Sequence, residues 1–168
     1  MPIFDTHAHY DSGAFNADRD AVLAALPAAG VTLVVNPGCD LESSRQAVAL
    51  AERFPHVYAA VGIHPSDCGG CGETEFEELK ALCRHEKVVA IGEIGLDYYW
   101  QDNPPREFQQ MVFRRQIELA LSLIHISEPA AAGPKGPSPE PGPHPRPGGR
   151  LSGRFPGRGA APGPSKGC

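Results

Sequence analysis

Val57-Tyr58-Ala59-Ala60-Val61-Gly62-Ile63 is apolar at nearly every position. A strand that reads this way is covered on both faces, as in a parallel sheet with helices on its sides. The flanking residues repeat the theme. Upstream, Thr32-Leu33-Val34-Val35-Asn36 reads as a second strand, and Asp40 is placed to cap a helix reaching about Phe54. Further upstream, Pro2 to Asp5 is strand-like. A helical stretch follows from about Ala17 to Ala29, with Val22, Leu26 and Ala29 on one side and Gly30 ending it. Downstream, Thr74-Glu75-Phe76-Glu77 has capping-box spacing and opens a helix carrying Phe76, Leu79 and Leu82. Val88-Val89-Ala90-Ile91-Gly92-Glu93 is the fourth strand. Asn103 and Pro104 signal a fourth helix, with Phe108, Met111, Val112 and Leu119 as its inner stripe. Four consecutive βα units predict an α/β fold with a parallel sheet and right-handed crossovers.

A closed (β/α)8 barrel needs eight such units and about 250 residues. Four units predict half of one, with the first and fourth strands as unpaired edges and the inner layer of side chains open to water.

Composition divides the chain. From Pro129 to Cys168, 40 residues hold 11 Pro, 10 Gly, 6 Lys/Arg and the single acid Glu140. Residues 1–128 therefore carry 9 basic and 19 acidic side chains, and the whole-chain charge of −5 hides the split. The tail lacks apolar periodicity and is expected to be disordered. The acidic body has no electrostatic footprint for non-specific nucleic-acid binding. The N-terminus runs straight into a strand bearing Asp5 and two histidines, with no signal peptide or apolar run of membrane-spanning length. A cytoplasmic location is expected, with no membrane association and no protein partner implied.

In parallel α/β architectures, functional residues collect at the C-terminal ends of the strands. The polar outliers fall there. His7 and His9 close the first strand, Asn36 the second and Glu93 the fourth, while His64 follows the third and Asp97 lies just beyond Glu93. On a strand, His7 and His9 point the same way, roughly 7 Å apart at the backbone. They can converge on one divalent cation or on a close pair. An isolated His-x-His is more often an ordinary pair of histidines; the other rim residues shift the balance toward a metal site. Cys68-Gly-Gly-Cys71 has zinc or redox spacing but no second pair, and a dedicated role is not expected.

Three stretches carry a family resemblance: Phe4-Asp5-Thr6-His7-Ala8-His9, Gly62-Ile63-His64-Pro65, and Gly92-Glu93-Ile94-Gly95-Leu96-Asp97-Tyr98-Tyr99. In that order they resemble the N-terminal signatures of the TatD family of metal-dependent deoxyribonucleases. Phe108 to Gln116 resembles that family's next helix, and the match covers about residues 1–121. The resemblance implies a TIM-like (β/α)8 barrel of the metallo-dependent hydrolase type, hydrolysing phosphodiester bonds in DNA with divalent metal ions, two in number, of magnesium, manganese or zinc. It implies that His7 and His9 bind one metal and that Glu93 binds or bridges two. It also implies that His64 contacts the substrate phosphate or assists at the rim, and that Asp97 orders the site or the residues around it. Another metallo-dependent hydrolase, acting on a cyclic amide or phosphotriester, would share His-x-His, and a non-enzymatic half-barrel is the third alternative.

The resemblance breaks after the fourth helix. Ile124-His125 imitates a fifth-strand motif whose histidine is a metal ligand, but it follows the helix directly with no linker to reverse the chain. His125 is therefore a weak metal candidate. No Asp follows Asp102, and His144 is the only later histidine. The string from Leu121 to Pro129 also resembles the translation of a common transposon-end sequencing adapter. Two regions are accordingly expected: residues 1–121, the N-terminal half of the barrel, and residues 122–168, foreign to the family. The chain is expected to be a truncated form with little or no nuclease activity.

Overall fold

The computed structural model describes residues 1–124 of the 168. The expected tail and His125 lie outside the described residues. Four strands, β1 (Ile3–Asp5), β2 (Val31–Pro37), β3 (Val57–Val61) and β4 (Val88–Ile91), alternate with α1 (Arg19–Ala25), α2 (Leu41–Arg53), α3 (Glu73–Leu82) and α4 (Arg106–Ile124). The sheet order is β1-β2-β3-β4 and every pairing is parallel. These are the four βα units expected, in the expected class.

Most local signals hold, and the departures have physical causes. Asp40 caps α2: its carboxylate accepts from Ser43 N at 2.7 Å, and the Ser43 hydroxyl reaches back to Asp40 N. α1 is shorter than the expected 17–29, running from Arg19 to Ala25, with a separate 3-10 turn at Gly13–Phe15. Pro27 cannot donate a helical hydrogen bond, and the chain turns down through Gly30, whose φ of 94° suits glycine. The residue that α1 buries completely is Leu23, between the expected Val22 and Leu26. α3 begins one residue before Thr74. Its cap is one-sided: Gly72 has no side chain to accept a bond, and the Glu75 carboxylate accepts from Gly72 N at 2.8 Å.

α2 and α3 pack on one face of the sheet. Leu23, Val34, Ala47, Ala51, Val57, Ala59, Val61 and Leu79 are fully buried, with Phe76 and Val112 beside them. Within α4, Val112 is buried as expected and Phe108 and Leu119 pack against the core, but Met111 is exposed. The buried face of α4 instead includes Gln109 and Gln116. No helix of the described residues is long and apolar enough to cross a membrane.

Candidate metal centre

β1 ends at Asp5, so His7 and His9 lie in the connection just past the strand and not on it. The Asp5 carboxylate accepts from His7 N at 3.2 Å, turning the backbone at the strand end. Ala8 N still donates to Val35 O at 3.1 Å, which keeps the segment alongside β2. The two imidazoles converge, with Nε2 atoms 3.1 Å apart and rings edge-on at 74°.

Glu93 arrives from the opposite edge of the sheet. β4 ends at Ile91, and the Gly92–Glu93 peptide bond is cis. Glu93 N donates to Gly38 O at 2.7 Å, tying this segment to the end of β2. Glu93 Oε1 reaches His7 Nε2 at 2.9 Å, and Oε2 lies 3.2 Å from Cys39 Sγ. Gly62 makes this approach possible. A Cβ there would lie 2.7 Å from Gly92 C and 2.9 Å from Glu93 O, both backbone atoms that cannot step aside cheaply.

His7, His9 and Glu93 each offer one ligand atom, and these atoms lie within 4.8 Å of one another. Nitrogen and oxygen ligands about 2.0–2.2 Å from an ion stand roughly 3.0–3.5 Å from each other; the His7–His9 contact at 3.1 Å and the His7–Glu93 contact at 2.9 Å lie close to that spacing, and the donor types suit a divalent cation. A second observation agrees. His9 Nδ1 is buried with no hydrogen-bond partner, while Asp11 Oδ1 stands 3.9 Å away. An ion on Nε2 would put the ring proton on Nδ1, where a carboxylate is the usual outer partner.

Asp11 is itself held from β2. The fully buried Asn36 donates from Nδ2 to Asp11 Oδ1 at 2.8 Å and accepts from Tyr10 N at 2.7 Å. Arg19 closes the loop from below, donating to the Tyr10, Asp11 and Ser12 carbonyls. Asp11 carried no expectation of its own in the sequence. Its distance of two residues from His9 was the available signal.

His64 and Asp97 form a separate pair joined by Ser66. Ser66 N donates to His64 Nδ1 at 3.2 Å, and the Ser66 hydroxyl donates to Asp97 Oδ2 at 3.3 Å. Neither belongs to the three-residue cluster of ligand atoms. Tyr99 N donates to Asp97 Oδ1 at 2.9 Å, and this bond holds the Asp97 carboxyl below its ordinary pKa. Asp67, beside His64, is shifted upward by burial. Cys68 and Cys71 are buried free thiols, and desolvation pushes the Cys71 thiol up to about 11, which disfavours the thiolate that metal or redox chemistry needs.

Comparison with known proteins finds relatives of the same architecture. The model of the TatD related DNase family matches residues 4–128. The chain is 42% identical over 118 residues to the uncharacterized metal-dependent hydrolase YabD of Bacillus subtilis, covering 70% of this chain and 46% of that protein. It is 36% identical over 121 residues to the 3'-5' ssDNA/RNA exonuclease TatD of Salmonella typhimurium, covering 72% and 46%. The crystal structure of YjjV, a TatD homologue of Escherichia coli K12, superposes with a TM-score of 0.64 at 38% identity, over 70% of this chain and 46% of that one. The chain thus spans about half the length of the curated relatives it matches. With the parallel βα architecture and the His-His-Glu cluster, these matches show that the chain belongs to the TatD-related DNase family of metal-dependent hydrolases.

Proposed function

We propose that the rim formed by His7, His9 and Glu93 binds divalent metal and serves the hydrolysis of phosphodiester bonds in DNA. The observation that carries this reading is the convergence of the three side chains from opposite edges of the sheet, with ligand atoms at 3.1 and 2.9 Å. His7 and His9 would hold one ion and Glu93 would bind it or bridge to a second; magnesium, manganese and zinc all suit such donors. When bound, the ions neutralise the phosphate and lower the pKa of a coordinated water.

The remaining residues bind and orient. His64 accepts a backbone N–H at Nδ1, so its ring proton sits on Nε2, which makes it a donor suited to a phosphate oxygen. Asp97 keeps its charge and orders the Ser66 hydroxyl and the Tyr99 backbone. A cytoplasmic location accompanies this reading.

The side chain of His7 is about half exposed, at 52%, so the cluster is open to water on one side. An open site gains little from a low dielectric. The 168-residue chain by itself is therefore proposed to bind metal and DNA with little or no turnover. The test is manganese-dependent binding and cleavage of an end-labelled single-stranded oligodeoxynucleotide. Metal-dependent binding without appreciable cleavage, lost in His9→Ala, is expected. Robust cleavage abolished by His9→Ala would overturn the low turnover. Metal binding without DNA binding would overturn DNA as substrate and favour a cyclic amide or phosphotriester.

A further inference from the structure

The buried face of α4 carries two glutamines seven positions apart, hence two turns, and each grips the backbone of a functional loop. Gln116 is fully buried. Its Nε2 donates to Ile63 O at 3.0 Å and its Oε1 accepts from Ile63 N at 2.8 Å. Gln109 is 2% exposed and does the same for Asp97, accepting from Asp97 N and donating to Asp97 O, both at 2.9 Å. A third bond runs from Gln109 Nε2 to Pro104 O at 2.8 Å.

Satisfying both the N–H and the C=O of one residue is what a neighbouring strand does in a sheet. Here the sheet has run out. β3 ends at Val61, where Gly92 N donates to Val61 O, and beyond it the chain is held by side chains. Ser44 Oγ accepts from Gly62 N and donates to Gly62 O, and Gln116 takes Ile63. The next residue is His64. A buried amide that meets two backbone groups at once leaves neither of them unsatisfied, and removing it would leave both exposed to that penalty.

We propose that Gln116 and Gln109 are positioning residues, through which α4 fixes the directions of His64 and Asp97. This rests on the function proposed above for those two side chains. The two held loops meet at Ser66, which bonds His64 on one side and Asp97 on the other. Fixing Ile63 and Asp97 from one helix sets the separation that Ser66 bridges. It also holds His64 with Nδ1 as acceptor and the proton on Nε2.

The test is nitrogen NMR of the histidine rings in the full 168-residue chain. The expected result is that the unsubstituted protein shows His64 in the Nε2–H form. Gln116→Met loses that single-tautomer signature, while the His7 and His9 signals, and the manganese affinity read from the EPR signal of the free ion, do not change. Gln109→Met leaves the His64 signature in place and instead loses protection of the Tyr99 amide, which bonds Asp97. An unchanged His64 tautomer in a folded Gln116→Met protein overturns the proposal, and so does equal disturbance of every histidine. If Gln116→Met does not fold, Gln116→Glu keeps the volume and the acceptor for Ile63 N and removes the donor. It is expected to lose the same signature, and retention overturns the proposal. Failure of the metal reading is distinguishable, because it appears as absence of manganese binding in the unsubstituted chain while the His64 tautomer remains readable.

Discussion

The inner strands β2 and β3 and the outer strands β1 and β4 are built from similar residues but live in different environments. Val34, Val57, Ala59 and Val61 in the inner pair are fully buried. In the outer pair Ile3 is 53% exposed, and Phe4 and Val89 are each 54% exposed. Yet the candidate metal ligands follow the outer pair, His7 and His9 after β1 and Glu93 after β4. Packing therefore anchors the middle of the sheet, while the candidate ligands hang from its least buried parts. What holds them is a set of bonds reaching outward from the strand ends: Ala8 N to Val35 O, Asn36 to Tyr10 and Asp11, and Glu93 N to Gly38 O. Core packing and placement of the candidate ligands thus rest on different sets of contacts, which meet at residues such as Asn36.

The largest expected effect comes from the packed half. Leu79→Ala empties a fully buried position on α3. It should cost about 2–5 kcal/mol in chemical denaturation. Val89→Ala, on the exposed edge, should cost within about 0.5 kcal/mol. Equal losses would break the contrast between the packed core and the exposed sheet edge.

Asn36→Ala tests the coupling between them. The residue is fully buried and bonds both Tyr10 N and the Asp11 carboxylate. Leaving those groups unpaired should cost about 1–3 kcal/mol. Manganese affinity should fall about 10–100-fold in the same protein, as when an outer partner of a metal ligand is removed. A stability loss with unchanged affinity would show that β2 does not position His9.

Gly62→Ala acts on the other edge. Its Cβ would press on the Gly92–Glu93 backbone at 2.7 Å. Overpacking of this kind costs about 1–3 kcal/mol, and displacement of Glu93 should weaken metal binding as well. Retained affinity would mean that Glu93 is not held through this contact.

The smallest effect concerns Asp97, whose folded pKa lies below its unfolded value because Tyr99 N bonds it. Its contribution to stability is present above the unfolded value, about 3.9, and is lost as pH falls through the lower folded value. Asp97→Asn should flatten the acid limb of the stability profile below about pH 4 and leave neutral-pH metal affinity unchanged.

The sequence made the inner half legible because full burial leaves a direct trace. Val57 to Val61 is almost wholly apolar, and Asp40 with Ser43 announces α2. The candidate ligand triad was legible as residue types at strand ends. Its convergence was not, since nothing in the order of residues states that Glu93 turns toward His7 across the sheet. The supports were the least visible part. Gln109 and Gln116 share a face with Val112, and a polar residue in an apolar stripe reads as a break in the pattern until its backbone partner is seen. Met111 was expected on that stripe, but helical spacing turns it out to solvent.

On this reading the ends of the two outer strands make one metal site. The most direct measurement is a calorimetric titration of the purified chain with manganese and zinc, repeated for His7→Ala, His9→Ala and Glu93→Gln. The expected result is divalent binding that each substitution abolishes or weakens by an order of magnitude or more, with a rise in Tm on metal addition only in the unsubstituted protein. Binding that survives all three substitutions, or no binding at all, would contradict the account.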